Sequence, residues 1–297
     1  IFGFLGPNGA GKSTTINILC TLLRPTAGRA VVCGLDVAHN QNQVRQCIGL
    51  VFQDPSLDER MSAWENLEFH GLVYGVPRRE RRQRLDEMLH MVGLWERRHG
   101  LVKHFSGGMR RRLEIARGLV HRPRILFLDE PTLGLDPQTR AHIWEHLHGL
   151  RREQGVTLFF TTHYMDEAEH ADRIGIIDRG RLVALDTPEA LKQALGGDIL
   201  ILKTADNAAA ATEIDQRFGL PVTRDGDSLS LEVPNGSEFI PTLSRALETP
   251  IHSITLRRPT LDDVFLRLTG RELRDEEATG RETMRAGARA RMRKAGR

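Results

Sequence analysis

Nine residues near the start of the chain, Gly6-Pro7-Asn8-Gly9-Ala10-Gly11-Lys12-Ser13-Thr14, fit the phosphate-loop spacing G-x-x-x-x-G-K-[ST]. An apolar run, Ile1 to Leu5, precedes them, and a helical pattern from Thr14 to Leu23 follows. The chemistry needs that setting. Glycines let successive backbone N–H groups turn inward on a phosphate, and a helix N-terminus adds partial positive charge. Lys12 is placed to reach the β- and γ-phosphates, and the Ser13 hydroxyl to take a position on Mg²⁺. The motif predicts a nucleoside triphosphate site.

Such a site needs carboxylates to complete the metal shell and prepare a water. Ile125-Leu126-Phe127-Leu128-Asp129-Glu130 supplies them: four apolar residues make a buried strand, and two acids emerge at its C-terminal end. Asp129 is expected to hold Mg²⁺ through water. Glu130, aimed differently, is expected to act as general base. Ser106-Gly107-Gly108, at the start of an amphipathic helix, offers one hydroxyl and several amide N–H groups to a second anion. Two phosphate sites far apart in one chain suggest that each serves the same nucleotide from a different subunit.

The elements that must position these residues follow from hydrophobic patterning. Near-continuous apolar runs at Ile1–Leu5, Ile48–Phe52, Ile125–Leu128 and Val156–Thr161 read as strands of a mostly parallel sheet covered by helices. Between Ser62 and Val120 the pattern turns helical. Ser62-Ala63-Trp64-Glu65 is a capping box and Pro77 opens a further helix, so residues from about 60 to 120 read as a helical insert. A helix follows Asp136-Pro137 with Ile143, Leu147 and Leu150 on one face. Asp178-Arg179-Gly180 signals a hairpin, and a short helix opens at Thr187-Pro188.

Beyond Gly197 the order changes to strand 199–203, helix 207–218, strands 221–224 and 228–233, helix 237–248 and strand 251–257. The expected division is therefore residues 1–197, residues 198–270 as a small βαββαβ unit closed by a helix at 260–268, and a charged, disordered tail over 271–297. From Arg285 to Arg297 that tail carries six basic residues and no acidic one, a solvated run.

Composition narrows the class. Of 297 residues 40% are hydrophobic and 27% charged, ordinary for a globular protein. No run approaches the ~18 apolar residues of a membrane span. The net charge of +3 gives no argument for nucleic acid, and Cys20, Cys33 and Cys47 lack metal-ligand spacing, which reads as a reduced cytoplasmic setting. Ile1 opens inside a strand rather than on Met, so the chain is expected to be a fragment with N-terminal strands lying upstream.

The Gly6–Thr14 loop, Gln53 in Val51-Phe52-Gln53-Asp54, Ser106-Gly107-Gly108, Asp129-Glu130, Leu135-Asp136 and His163 occur in the order of an ABC-type ATPase. They resemble its Walker A loop, Q-loop, signature, Walker B, D-loop and switch histidine. That resemblance implies a P-loop α/β fold of ABC type plus a small C-terminal α+β domain, with ATP and Mg²⁺ as cofactors. It implies a homodimer of ATPase domains in which Ser106, Gly107 and Gly108 grip the γ-phosphate on the partner's Lys12 loop, while Asp136 crosses the interface. It also implies that His163 contacts the γ-phosphate and the attacking water, and that Gln53 senses Mg²⁺ and signals to whatever docks beside it. Phe105 and Met109 depart from the usual Leu-Ser-Gly-Gly-Gln, but the phosphate-facing Ser-Gly-Gly is intact. The adenine-stacking aromatic of the family is expected upstream of Ile1.

Phe105 to Leu113, Pro131 to Pro137, and Leu261-Asp262-Asp263-Val264-Phe265-Leu266-Arg267-Leu268-Thr269-Gly270 are most similar to ATP-binding subunits of daunorubicin-resistance-type exporters. This implies work with a separate membrane permease, docked around Asp54–Gly75, at the cytoplasmic face of the membrane. The rival reading is a soluble ABC ATPase acting on ribosomes or DNA. Only one ATPase unit is present, and neither heptads nor CxxC motifs separate Gly6–Thr14 from Ser106, which favours transport.

Overall fold

The computed structural model describes residues 1–270 of the protein, so the basic run and the tail expected over 271–297 lie outside the described residues. The chain divides into two compact units, the first ending at Leu185 and the second beginning at Asp186.

The first unit runs β1 (Phe2–Leu5), α1 (Lys12–Leu19), β2 (Val31–Val32), β3 (Leu35–Asp36), α2 (Gln41–Cys47), β4 (Ile48–Val51), α3 (Ala63–Val73) and α4 (Arg78–Met91). It continues with α5 (Gly107–Leu119), β5 (Ile125–Asp129), α6 (Pro137–Gln154), β6 (Thr157–Thr162), α7 (Met165–Ala168), β7 (Arg173–Asp178) and β8 (Arg181–Asp186). Six strands form one sheet in the order β4-β5-β6-β1-β7-β8, with parallel pairing from β4 through β7. Continuous apolar runs suit this position because both faces are covered: Leu126, Leu128, Leu158, Phe160, Ile174 and Ile176 are fully buried. The parallel order leaves the C-terminal ends of β1, β5 and β6 side by side, where a doubly covered sheet exposes its loops to a ligand.

Local chemistry sets the helix starts. Ser62 accepts from the Glu65 amide while Glu65 reaches back to the Ser62 amide, closing the expected capping box at α3. Pro77 precedes α4, and Asp136 caps α6, whose Ile143, Leu147 and Leu150 are buried along one face. Helix α5 lies close against β4, because a Cβ on Gly49 would come within 2.3 Å of the Gly118 carbonyl oxygen. Between Val51 and Ile125 the described residues contain helices and one isolated bridge, Ser62 to Leu101, but no named strand.

Three features depart from the patterning. The β2–β3 ribbon, α2 and α7 carry no legible periodicity: the strands have two residues and α7 four, too short for a hydrophobic repeat, and the seven residues of α2 bury a single side chain, Val44. Phe52 is not part of β4; its carbonyl turns away from the ladder and accepts from Arg111. Thr162 extends β6 by one residue beyond the expected end.

The second unit contains α8 (Pro188–Gln193), β9 (Asp198–Thr204), α9 (Asn207–Phe218), β10 (Val222–Asp225), β11 (Ser228–Val233), α10 (Gly236–Ala246), β12 (Ile251–Arg257) and α11 (Leu261–Thr269). Its sheet order, β10-β11-β9-β12, is antiparallel throughout and places β11 between β9 and β10 in a split βαβ arrangement. Leu200, Leu202, Leu229, Leu231 and Val233 alternate inward against Ile214 and Leu243. Here the boundary expected at residue 197 is corrected to Leu185/Asp186. Helix α8 contacts α11, which buries Leu261, Val264 and Phe265, so α8 belongs with the second unit. Helix α11 is held at its start by a Thr260–Asp263 capping box, and Arg257 grips Asp263 through two bonds of 2.6 and 2.9 Å.

Candidate active site

The loop between β1 and α1 is shaped by its glycines. A Cβ on Gly6 would lie 2.4 Å from the Ile177 carbonyl, and Gly9 and Gly11 have φ of 79° and 108°, which disfavour other residues. Pro7 accepts from the Ala10 amide at 3.2 Å, which closes the loop on itself, and Ala10 accepts from the Gly180 amide at 2.9 Å, which ties it to the β7–β8 turn. Asn8, Gly9, Ser13 and Thr14 face solvent. No side chain caps α1, which leaves the first-turn amides without a side-chain partner at the loop.

Lys12, only 5% exposed, donates to the carbonyls of Gly6 at 2.8 Å and Pro7 at 3.1 Å, and its Nζ lies 3.4 Å from Glu130 Oε1. His163 Nδ1 is 3.2 Å from the same oxygen. Loop, strand-end acid and histidine thus meet at one carboxylate. Burial pushes the Glu130 carboxyl up, but the His163 hydrogen bond and the Lys12 charge outweigh it and hold the group below its ordinary range. Glu130 therefore stays ionised at neutral pH. Its backbone is left-handed, with φ of 47°. That turn sends its side chain away from that of Asp129, which accepts from Thr161 Oγ1 at 2.5 Å; the same hydroxyl accepts from the Glu130 amide at 3.0 Å.

Other expected residues lie apart from this cluster. Val51 pairs with Leu128, so Gln53 follows β4 beside the end of β5, yet it is exposed and makes no side-chain hydrogen bond among the described residues. Ser106 and Gly107 are exposed, and no hydrogen bond among the described residues joins Ser106–Gly108 to Lys12, Asp129 or Glu130. The Ser106 hydroxyl caps its own helix by accepting from Met109 at 3.3 Å. Gly108 lies against α6: a Cβ there would sit 2.5 Å from Thr139 Cγ2, and Thr139 is fixed by two bonds to the Asp136 carboxylate. Those bonds from the Thr139 hydroxyl and amide also lower the pKa of Asp136.

Two further positions escape motif reading. Thr161 joins Asp129 to Glu130, and the only trace of it is a Thr-Thr pair before His163. Glu167, one helical turn after His163 and 2% exposed, accepts from Thr162 Oγ1 at 2.6 Å and from Thr132 Oγ1. Burial pushes its carboxyl from 4.5 up to about 7, against the Thr162 hydrogen bond and the Arg140 charge. The folded state thus holds this proton more tightly than the unfolded chain. Its stabilising effect is full below pH 4.5 and is lost as pH rises through about 7. Thermal unfolding of the Glu167→Gln variant is therefore expected to gain on the natural protein by roughly 3 °C or more between about pH 5 and pH 8. Parallel curves for the two proteins would remove Glu167 as a titrating group.

A family model described as ABC transporter matches residues 1–133, and one described as the C-terminal domain of ATP-binding protein DrrA1-3-like matches residues 187–269. The chain is 43% identical to the daunorubicin resistance ATP-binding protein DrrA3 of Streptomyces coeruleorubidus, over 94% of this chain and 90% of that one. It is 40% identical to the linearmycin resistance ATP-binding protein LnrL of Bacillus subtilis (strain 168), over 92% and 91% respectively. Among solved structures it is similar to a dimeric ATP-binding cassette in a post-hydrolysis state bound to ADP and Pi, with a TM-score of 0.57 and 31% identity, over 63% of this chain and 84% of that one.

Proposed function

The chain belongs to the ATP-binding subunits of ABC transporters, and from that premise we propose that it hydrolyses ATP to power export of a drug-like or lipid-like cargo through a separate membrane permease. The observation that carries this reading is the convergence of Lys12 and His163 on Glu130 Oε1, beside the uncapped start of α1. The Gly6–Ser13 backbone and Lys12 bind the phosphates, with Thr14 completing the loop. Glu130 takes the proton of the attacking water, and His163 orients that water and the γ-phosphate. The oxygen donors Ser13, Asp129 and Gln53 suit Mg²⁺, which would neutralise charge on the β- and γ-phosphate oxygens.

Two copies pair so that the exposed Ser106 and Gly107, with Gly108, of each complete the nucleotide site of the other, with Asp136 at the seam. The Gly108–Thr139 approach joins these two interface elements within one chain. Among the described residues no helix is long and apolar enough to cross a membrane, and we assign the cargo pathway to the permease. Its docking site is the region Asp54–Gly75, at the cytoplasmic face. Phe69, Leu72 and Val73, exposed at 59%, 55% and 66% and spaced i, i+3, i+4, form an apolar stripe on α3 that suits a partner helix. The resistance functions in the names of the two relatives support an antibiotic-like cargo.

Affinity purification from detergent-solubilised membranes, with mass spectrometry of co-purifying proteins, tests this reading. A stoichiometric partner with about six membrane spans is the expected result. Recovery with ribosomes or nucleic acid, and no membrane partner, would replace transport with a non-transport ATPase.

A further inference from the structure

Helix α5 turns one buried cation toward the ends of two strands. Arg111, 7% exposed, donates through Nη2 to the carbonyls of Asp129 at 2.9 Å and Glu130 at 3.1 Å, through Nε to Pro131 at 2.6 Å, and through Nη1 to Phe52. These carbonyls lie at and just beyond the C-terminal ends of β4 and β5. A planar guanidinium with five fixed N–H donors can serve them together, and a lysine cannot. The buried charge is balanced by Glu114, whose Oε2 lies 3.1 Å from Nη1.

The contacts continue beyond the pair. Glu114, 1% exposed, uses its other oxygen to accept from the Ser56 amide at 2.7 Å, and Arg117 donates to the Ser56 carbonyl at 2.6 Å. Ser56 belongs to the same loop as Gln53. Residues 111, 114 and 117, spaced by three along α5, therefore tie the loop after β4 to the residues that end β5. Glu130 also sits in a left-handed conformation, with φ of 47°, that is strained for a non-glycine residue and persists only where its surroundings hold it. Its amide is held by Thr161 and its carbonyl by Arg111.

We propose that Arg111 is a positioning residue for ATP hydrolysis, holding the Glu130 backbone and the Phe52–Gln53 turn in one frame. The inference rests on Glu130 being the base. Through Glu114 and Ser56, a displacement of the loop beside the permease reaches the carboxylate without any contact to nucleotide.

Steady-state ATPase kinetics of Arg111→Lys and Arg111→Met, alongside equilibrium binding of a fluorescent ATP analogue and thermal unfolding, test it. Lysine keeps the charge but offers one nitrogen in place of the fork. Arg111→Lys is expected to lower kcat by roughly 10- to 100-fold, with KM within about threefold and full binding stoichiometry. A role in stability alone would lower the melting temperature and the stoichiometry but leave kcat per occupied site unchanged, and that result overturns the proposal. Should Arg111→Met fail to fold, Arg111→Lys and Glu114→Gln decide the matter; Glu114→Gln is expected to lower kcat by roughly tenfold at unchanged KM. Glu130→Gln is measured in parallel. If it still turns over, the base assignment fails; if it is inactive while Arg111→Lys is fully active, only the positioning role fails.

Discussion

Glu130→Gln is expected to lower kcat for ATP by about 10³-fold while leaving nucleotide binding intact or tighter. Glutamine keeps the shape of the side chain, so the left-handed turn at residue 130 and its bonds to Thr161 and Arg111 survive. What disappears is the proton acceptor. The direction expected for affinity follows from Lys12, whose Nζ lies 3.4 Å from Glu130 Oε1 and hydrogen-bonds two carbonyls of its own loop. A neutral amide removes one anion competing with phosphate for that cation, and it removes repulsion between two negative groups. The variant should therefore accumulate as an ATP-bound dimer, visible by size-exclusion chromatography with MgATP. Single-turnover hydrolysis at the natural rate would rule Glu130 out as base.

The pH dependence bears on the same assignment. Because His163 and Lys12 outweigh burial and keep the Glu130 carboxyl below its ordinary value, loss of activity through its protonation is confined to pH below 4.5. A depressed pKa makes a weak base. Its role is to align and polarise a water whose proton leaves late, and that makes alignment matter more than basicity. The four carbonyl bonds of Arg111 and the Thr161 bridge supply that alignment.

What the sequence disclosed depended on whether a group's partners lie nearby along the chain. The Gly6–Thr14 loop is local: its glycines, lysine and helix start are adjacent, and each is needed for a reason visible in one short window. Helix starts at Ser62, Asp136 and Thr187 were legible for the same cause, since a cap acts over three residues. In the second unit the strands alternate and the helices keep their period, so elements fell within a residue or two of their expected ends.

Arg111 shows the opposite case. In the sequence it stands in a run of three arginines, Arg110-Arg111-Arg112; apart from Glu114 on its own helix, its acceptors are backbone carbonyls 18 to 59 residues away, which no side-chain motif reports. Glu167 is similar, since Thr132 is 35 residues distant and only the fold makes the pair. The misplaced boundary at residue 197 has the same origin, because α8 is claimed by α11 far downstream.

Lys12→Met is expected to weaken ATP binding by ~10²-fold or more, and to do so before any effect on chemistry can be read. Lys12 is buried, so its ammonium is desolvated and available to phosphate at short range and low effective dielectric. Methionine preserves the apolar stem and removes the charge, leaving the Gly6 and Pro7 carbonyls without their donor and Glu130 with His163 as its remaining side-chain neighbour of these two. With the Lys12 charge gone, the Glu130 carboxyl rises toward its ordinary range, because that charge is one of the forces holding it down. The two variants therefore separate binding from turnover in opposite senses: Glu130→Gln binds and does not turn over, whereas Lys12→Met fails at binding. Titration of a fluorescent ATP analogue against each protein reads the difference directly. Natural affinity in Lys12→Met would mean that the loop amides alone hold the phosphates, and the Lys12–Glu130 pair would then be a structural contact rather than part of the nucleotide site.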